Sequence, residues 1–276
     1  MSLLSTLLTP RRLLALALAA VFAVVAVLLG NWQYSRHEAK VAARDRVEQH
    51  YDAEPVPLTS ALTSAEDPLG PAQDWTRVEV TGHYLVDEQL LVRNRPHRGV
   101  YGYAVVVPFV PEGPAGSGAE GRAALLVDRG WVRNAADAST LPDVPPVPDA
   151  ELTVTGWLRP GEEDLEREMP EGQLASINLT EASQRTGNEL YNAYLVLDAE
   201  SVPSSATAPE RPAAADPPDT GLGTHFAYAL QWWLTAPLGV VLVVLLARRD
   251  AREAGGPAND IPRKPKRTRI WDDEDE

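Results

Sequence analysis

Five histidines, His37, His50, His83, His97 and His225, are the candidate metal or cofactor ligands of this chain, since neutral imidazole is a common metal ligand. Three have ordinary explanations. His83 and His97 fall in or beside predicted strands, where histidine is usually exposed or hydrogen-bonded, and His50 ends a polar helical stretch. His37 and His225 stand apart. His37 closes NWQYSRH, just after one long apolar run, and His225 opens HFAYALQWW, at the head of another. At 100° per residue, His225, Tyr228, Ala229, Trp232, Ala236 and Gly239 share one helix face, which runs from a potential ligand through aromatics to small residues. In the earlier segment Trp32 and Arg36 share a face, with Gln33 and Lys40 beside them, and the two cations suit an anionic group.

Bond-making chemistry has little to work with. The sequence holds no GxSxG, HExxH, Walker loop or dinucleotide fingerprint. EEDLERE, at residues 162–168, gathers carboxylates, but without a converging histidine or metal motif a solvated charged turn is the commoner reading than an acid/base pair. There is no cysteine, which removes disulfides, thiolate metal sites, cysteine nucleophiles, thioether haem attachment and copper delivery by paired thiols. A catalytic reading would need an external hydrolase whose site follows no familiar motif.

The elements that position the histidine segments are the apolar runs themselves. Residues 13–29, LLALALAAVFAVVAVLL, and residues 226–247 are free of charge and long enough to cross a hydrocarbon core of about 30 Å. Pro237 and Gly239 are tolerated in such a span. Membrane helices are therefore expected at 13–30 and 225–247. Arg11 and Arg12 precede the first, and Arg248, Arg249 and Arg252 follow the second, so the positive-inside bias puts both the N-terminus (1–12) and the charged tail (248–276) in the cytoplasm. A cleavable signal peptide is the competing reading of the first run, but LLGNWQYSR offers no small-residue cleavage site. With that topology NWQYSRH and HFAYALQWW meet one level of the outer interface. The segment between, 31–224, carries 15 Lys+Arg against 31 Asp+Glu, a net of −16, which suits translocation and argues against a nucleic-acid partner.

Within that segment helical character continues to about Tyr51, and Pro55 and Pro57 stop it. From Trp75 the period becomes that of strands: WTRVEVTGHYL, EQLLVRNR, YGYAVVVPFV, AALLVDRGWVRN, ELTVTGWLRP, LASINL and NELYNAYLVLD. EASQRTG reads as a short helix. The expected fold class is an α+β membrane protein, with two transmembrane helices flanking a mainly antiparallel β domain, a small barrel or sandwich, outside the membrane. PEGPAGSGAEGR, TLPDVPPVPDA and SVPSSATAPERPAAADPPDTGLG are poor in apolar residues and are expected to be loops or flexible tethers. The tail, ending KPKRTRIWDDEDE, sets a basic block that suits anionic lipid against an acidic one.

Trp and Tyr at this level ordinarily anchor a helix in the interface, and Arg and Lys near helix ends ordinarily snorkel. From the residues alone anchoring is the commoner role. A flat apolar porphyrin bearing carboxylates would nonetheless suit the same surface, with His225 for the iron, Tyr228, Trp232 and Trp32 against the ring, and Arg36 and Lys40 for the propionates.

LGNWQYSRHEAK at 29–40, the paired-strand stretch GHYLVDEQLLVRNRPHRGVYGYAVVVPFV at 82–110, LLVDRGWVRN at 125–134, TGWLRPGE at 155–162 and HFAYALQWW at 225–233 stand in one order between the two helices. In these pieces the chain resembles the Surfeit locus protein 1 family, membrane assembly factors for haem-copper cytochrome c oxidase. The resemblance spans residues 12 to 249. The Pro/Ala-rich inserts and the charged tail depart from it. It implies a non-enzymatic role in maturing the haem a centres of the oxidase, with the catalytic subunit as partner, haem a synthase as a second partner, and transient haem a on the histidine that opens the second helix, His225. The alternative is a membrane scaffold that docks oxidase subunits without binding haem.

Overall fold

The computed structural model describes residues 8–113, 123–136, 140–202 and 210–255. The first helix, α1 (Pro10–His50), is a single continuous element of 41 residues. Leucine and alanine carry it through the apolar run, and alanine with long charged side chains carries it on; these residues lose little rotamer freedom in a helix. A last helical bond from Tyr51 N–H to the Val47 carbonyl ends it ahead of Pro55 and Pro57. The second apolar run forms α4 (His225–Thr235) and α5 (Leu238–Gly255), separated at Pro237. Proline has no N–H for the Trp233 carbonyl four residues back. The runs make two helical stretches long and apolar enough to cross a membrane, with the β domain between them in sequence.

Two compact units result: residues up to Ala39 together with those from Leu222 on, and Lys40–Gly221. In the second, β1 (Val56–Pro57) and the one-turn α2 (Leu58–Ala61) precede the main strands. These are β2 (Arg77–Tyr84), β3 (Leu90–His97), β4 (Val100–Pro111), β5 (Ala124–Arg133), β6 (Leu152–Arg159), the two-residue β7 (Gln173–Leu174) and β8 (Leu190–Ser201). Strands β2, β6, β8, β5 and β4 pair in turn, and the end of β4 returns to β2 through Gly82↔Pro111 and Tyr84↔Phe109, closing a five-stranded barrel. Most neighbours are antiparallel, as the alternating pattern predicts, but β5 and β8 are parallel.

Strand β4 shows why its sequence is almost continuously apolar. Tyr103, Val105, Val107 and Phe109 enter the barrel core, whereas Ala104 and Val106 enter a second core on the outer face with Leu126, Trp157, Leu174, Ile177 and Val196. A strand covered on both sides cannot alternate. The outer core is capped by α3 (Leu179–Thr186), whose Ala182 is buried. The Asn178 side chain accepts the Glu181 N–H at 2.9 Å to start this helix, and Gly187, in the left-handed region, ends it. LASINL, which alternates like a strand, therefore contributes only Leu174 to β7, because its tail is committed to that cap.

Two stretches expected as free loops pack. In TLPDVPPVPDA, Val144 and Val147 lie against the barrel core. In the stretch before α4, Ala213 exchanges backbone hydrogen bonds with Trp131, and the Arg211 guanidinium donates to the Asp198 carbonyl. Counting apolar residues missed both, because backbone pairing and a few valines hold them. Residues 114–122 of PEGPAGSGAEGR, residues 203–209 of the Ser/Pro/Ala stretch and the tail beyond 255 lie outside the described residues.

Candidate functional site

A stripe of small residues lets α1 and the second helical run approach closely. Ala19 and Ala26 on α1 and Ala229, Ala236 and Ala247 on α4 and α5 are buried. A β-carbon on Gly239 would stand 3.2 Å from that of Ala19. One turn after Ala26, Gly30 makes room for the Trp233 indole, whose Nε1 donates to Asn31 Oδ1 at 3.2 Å. Tyr34 packs on the same indole, ring centroids 5.6 Å apart.

The next residue of the stripe is Gln33, and it meets His225. Gln33 Oε1 lies 2.9 Å from His225 Nδ1. The carbonyl oxygen accepts the Nδ1 proton, so Nε2 is the ring nitrogen left with a lone pair. His37, one turn beyond, packs on Phe226 with centroids 5.2 Å apart, and its buried Nδ1 has no hydrogen-bond partner. Two imidazoles, two side-chain amides and three aromatic rings thus share one level of the two helices.

The residues singled out from sequence distribute unevenly. His225 is half-buried in this cluster and Trp232 is half-buried. Tyr228 is exposed, and Trp32 is exposed with the Arg36 guanidinium 5.6 Å above its ring. Lys40 is exposed one turn past Arg36. The α1-facing partners are Phe226 and Trp233, on which the helical-wheel reading placed no weight. The signal for them was the small-residue spacing of Ala19, Ala26 and Gly30, which marks the contact face of α1.

Within the barrel unit, His83 is exposed and His50 Nδ1 lies 3.1 Å from the Asp74 carbonyl. His97 stacks on Trp131 at 4.9 Å and pairs with Asp216 at 3.2 Å. His50 and His97 thus have structural partners. EEDLERE is an exposed irregular stretch from Glu163 to Glu168, but Glu162 is drawn inward, where it pairs with Arg95 and accepts the Ile177 N–H. Burial alone would raise the Glu162 carboxyl; the Arg95 hydrogen bond holds it below its usual range. Arg95, Glu162 and Asp128 line one small cavity, and burial pushes the Asp128 carboxyl up to about 7. Among the described residues no group of three or more metal-ligating side chains occurs.

Sequence reading also passed over a buried triad inside the barrel. The Arg129 guanidinium, wholly inaccessible, donates to Glu200 Oε1 at 2.8 Å, and the Tyr84 hydroxyl donates to Glu200 Oε2 at 3.0 Å. A register shift between β4 and β5 leaves Arg129 as the extra residue of a bulge. Its remaining N–H groups reach the Pro146 and Glu210 carbonyls, so it also gathers the two packed loops.

Comparison with known proteins covers both units. Residues 20–236 match the SURF1 family. Uncharacterized SURF1-like proteins of Mycobacterium bovis and Mycobacterium tuberculosis are each 31% identical over 260 residues, 90% of this chain and 89% of theirs. The cytochrome oxidase assembly protein SHY1 of Saccharomyces cerevisiae is 27% identical over 121 residues, 43% of this chain and 28% of its own. A match that takes in the Gln33 segment, the barrel and the start of α4, with relatives alike along nearly their whole length, establishes that the chain belongs to the SURF1 family.

Proposed function

We propose that this protein is an assembly factor for haem-copper cytochrome c oxidase, which presents haem a to the catalytic subunit or stabilises that subunit while its cofactor is inserted. Family membership and the assembly role carried in the name of the yeast relative support a place in oxidase assembly rather than in catalysis. The observation that carries the haem reading is the Gln33–His225 pair, 2.9 Å apart. Metal-bound histidines typically give their second ring N–H to an acceptor, and His225 already does so. The residues fit the group in their chemistry: His225 Nε2 is the iron donor, Trp232 and Tyr228 on α4 and Trp32 on α1 offer ring surface, and Arg36 and Lys40 answer the propionate charge. When bound, haem a supplies the redox iron that the oxidase will use; this chain holds and orients it. The catalytic subunit is the recipient partner, haem a synthase the donor partner, and both helices lie in lipid with the termini cytoplasmic and the barrel outside.

A second reading has its own observation. Trp32 and Tyr228 are about half exposed, at 51% and 47%, and so are free to dock against helices of an oxidase subunit. On that reading the protein is a scaffold that binds no pigment. The full chain, purified in detergent after co-expression with a haem a supply, separates the two. A Soret band that shifts or disappears in His225→Ala supports the haem role. Colourless protein in both, still co-purifying with the catalytic subunit, replaces it with the scaffold.

A further inference from the structure

We infer that Gln33 is the positioning residue of the site: its side-chain carbonyl selects the tautomer of His225 and fixes the ring so that Nε2, not Nδ1, is the ligating atom. As a step in haem presentation this rests on the proposed function; as a statement about the imidazole it does not.

A neutral imidazole carries its proton on one nitrogen, and the hydrogen bond made by the other decides which. Free imidazole side chains have no such partner. Here the carbonyl at 2.9 Å is the partner of Nδ1. An acceptor at this position also increases electron density at Nε2, which strengthens it as a ligand. Gln33 is one turn from His37, whose own Nδ1 is buried without a partner, yet the amide is given to His225 and not to His37. Its reach depends on the close approach of the helices: Trp233 lies over Gly30, three residues before Gln33, and Phe226, adjacent to His225, packs on His37. The amide is uncharged, so it directs a proton within the ring without adding a charge near the membrane, where an ionised group is expensive.

The test uses the full chain in detergent, labelled with 15N-histidine, as wild type, Gln33→Met and Gln33→Glu. Methionine keeps the length of the side chain and removes the acceptor; glutamate keeps an acceptor. In the haem-free protein, ring nitrogen shifts of His225, assigned by their loss in His225→Ala, are expected to show Nδ1–H in wild type and Gln33→Glu, and a shift towards Nε2–H in Gln33→Met. With haem added, Gln33→Met is expected to bind roughly 10- to 100-fold more weakly, the usual effect of losing such a partner, with Gln33→Glu restoring affinity and lowering the reduction potential. An unchanged tautomer in folded Gln33→Met overturns the inference, and so does unchanged haem affinity and potential across the three proteins. A Gln33-dependent tautomer in a wild type that takes up no haem sinks the haem reading alone and leaves the positioning of His225 standing.

Discussion

The Trp233 indole occupies space that a β-carbon on Gly30 would need: its nearest ring atoms would lie 2.4 Å from such a carbon. A rigid indole held by Asn31 cannot retreat as a flexible chain end could, so the tryptophan needs the glycine. In lipid, where apolar burial gives little drive, this kind of close packing is what holds helices together.

Gly30→Ala is therefore expected to push Trp233 out and weaken the Gln33–His225 hydrogen bond. Its signature is a lowered thermal midpoint and a changed near-ultraviolet circular dichroism spectrum of the full chain. Trp233→Leu alone is expected to be destabilising as well, whereas the pair Gly30→Ala/Trp233→Leu should be less unstable than the two single effects added. Strict additivity would show that the two residues do not share the contact.

Arg129 and Glu200 form an ion pair taken wholly out of water. Arg129→Met leaves the Glu200 carboxylate with the Tyr84 hydroxyl alone and is expected to cost about 3–5 kcal/mol. Tyr84→Phe, which removes only the hydroxyl, is expected to cost about 1–3 kcal/mol by leaving a charged acceptor under-satisfied. Arg129→Met/Glu200→Met should recover much of the loss, since no buried charge remains. Chemical unfolding followed by tryptophan fluorescence measures all three. A double variant as unstable as the sum of its parts would contradict the pairing.

Asp128 makes stability depend on pH in a direction opposite to an ordinary paired carboxylate. Its folded value, raised to about 7 from 3.8, means that between those limits the native protein keeps a proton that the unfolded chain releases. Stability from this group is complete below 3.8 and is lost as pH rises through 7. Glu162, held low by Arg95, works the other way and matters only at more acid pH. Asp128→Asn is expected to flatten the decline between pH 4 and 7 and to be more stable than wild type at pH 8. Thermal melts of both proteins across pH 4 to 9 decide it; parallel profiles would mean that Asp128 is ionised throughout.

Asn178 caps α3 and also donates its side-chain amide to the Glu162 carbonyl at 3.0 Å. Asn178→Ala is expected to cost more than the roughly 1 kcal/mol of a simple cap, and Asn178→Asp, which keeps the cap but not the donor, to fall between. Equal stability of the alanine and aspartate variants would show that the Glu162 contact contributes nothing.

Much of the architecture was legible because it is periodic. Seventeen uncharged residues from Leu13 admit no soluble alternative but a buried helix, and VEVTGHY alternates as a half-buried strand must. His225 stands out in the sequence as an imidazole between a loop and an apolar run, where anchoring at the interface is the ordinary role, and only the family resemblance singles it out as a ligand. Gln33 was visible only as a neighbour on the wheel, because nothing in a single helix says which of its faces another helix will meet. The helical wheel placed His225, Ala229, Ala236 and Gly239 on the face that meets α1, but it weighted Trp232 and gave no weight to Trp233 and Phe226 beside them.

What the sequence determined by itself was local: where the chain is apolar, with which period, and where proline, glycine and asparagine punctuate it. The closure of β4 onto β2, the parallel entry of β8 beside β5, the burial of Arg129 against Glu200 and the gift of the Gln33 carbonyl to His225 were decided only in three dimensions. Each joins residues from separate elements, from 25 positions apart in the barrel-closing pair Tyr84↔Phe109 to 192 in Gln33–His225. Such pairings are selected by shape, by the demand of buried polar groups for partners and by the space a missing side chain leaves, and these quantities exist only once the elements have packed.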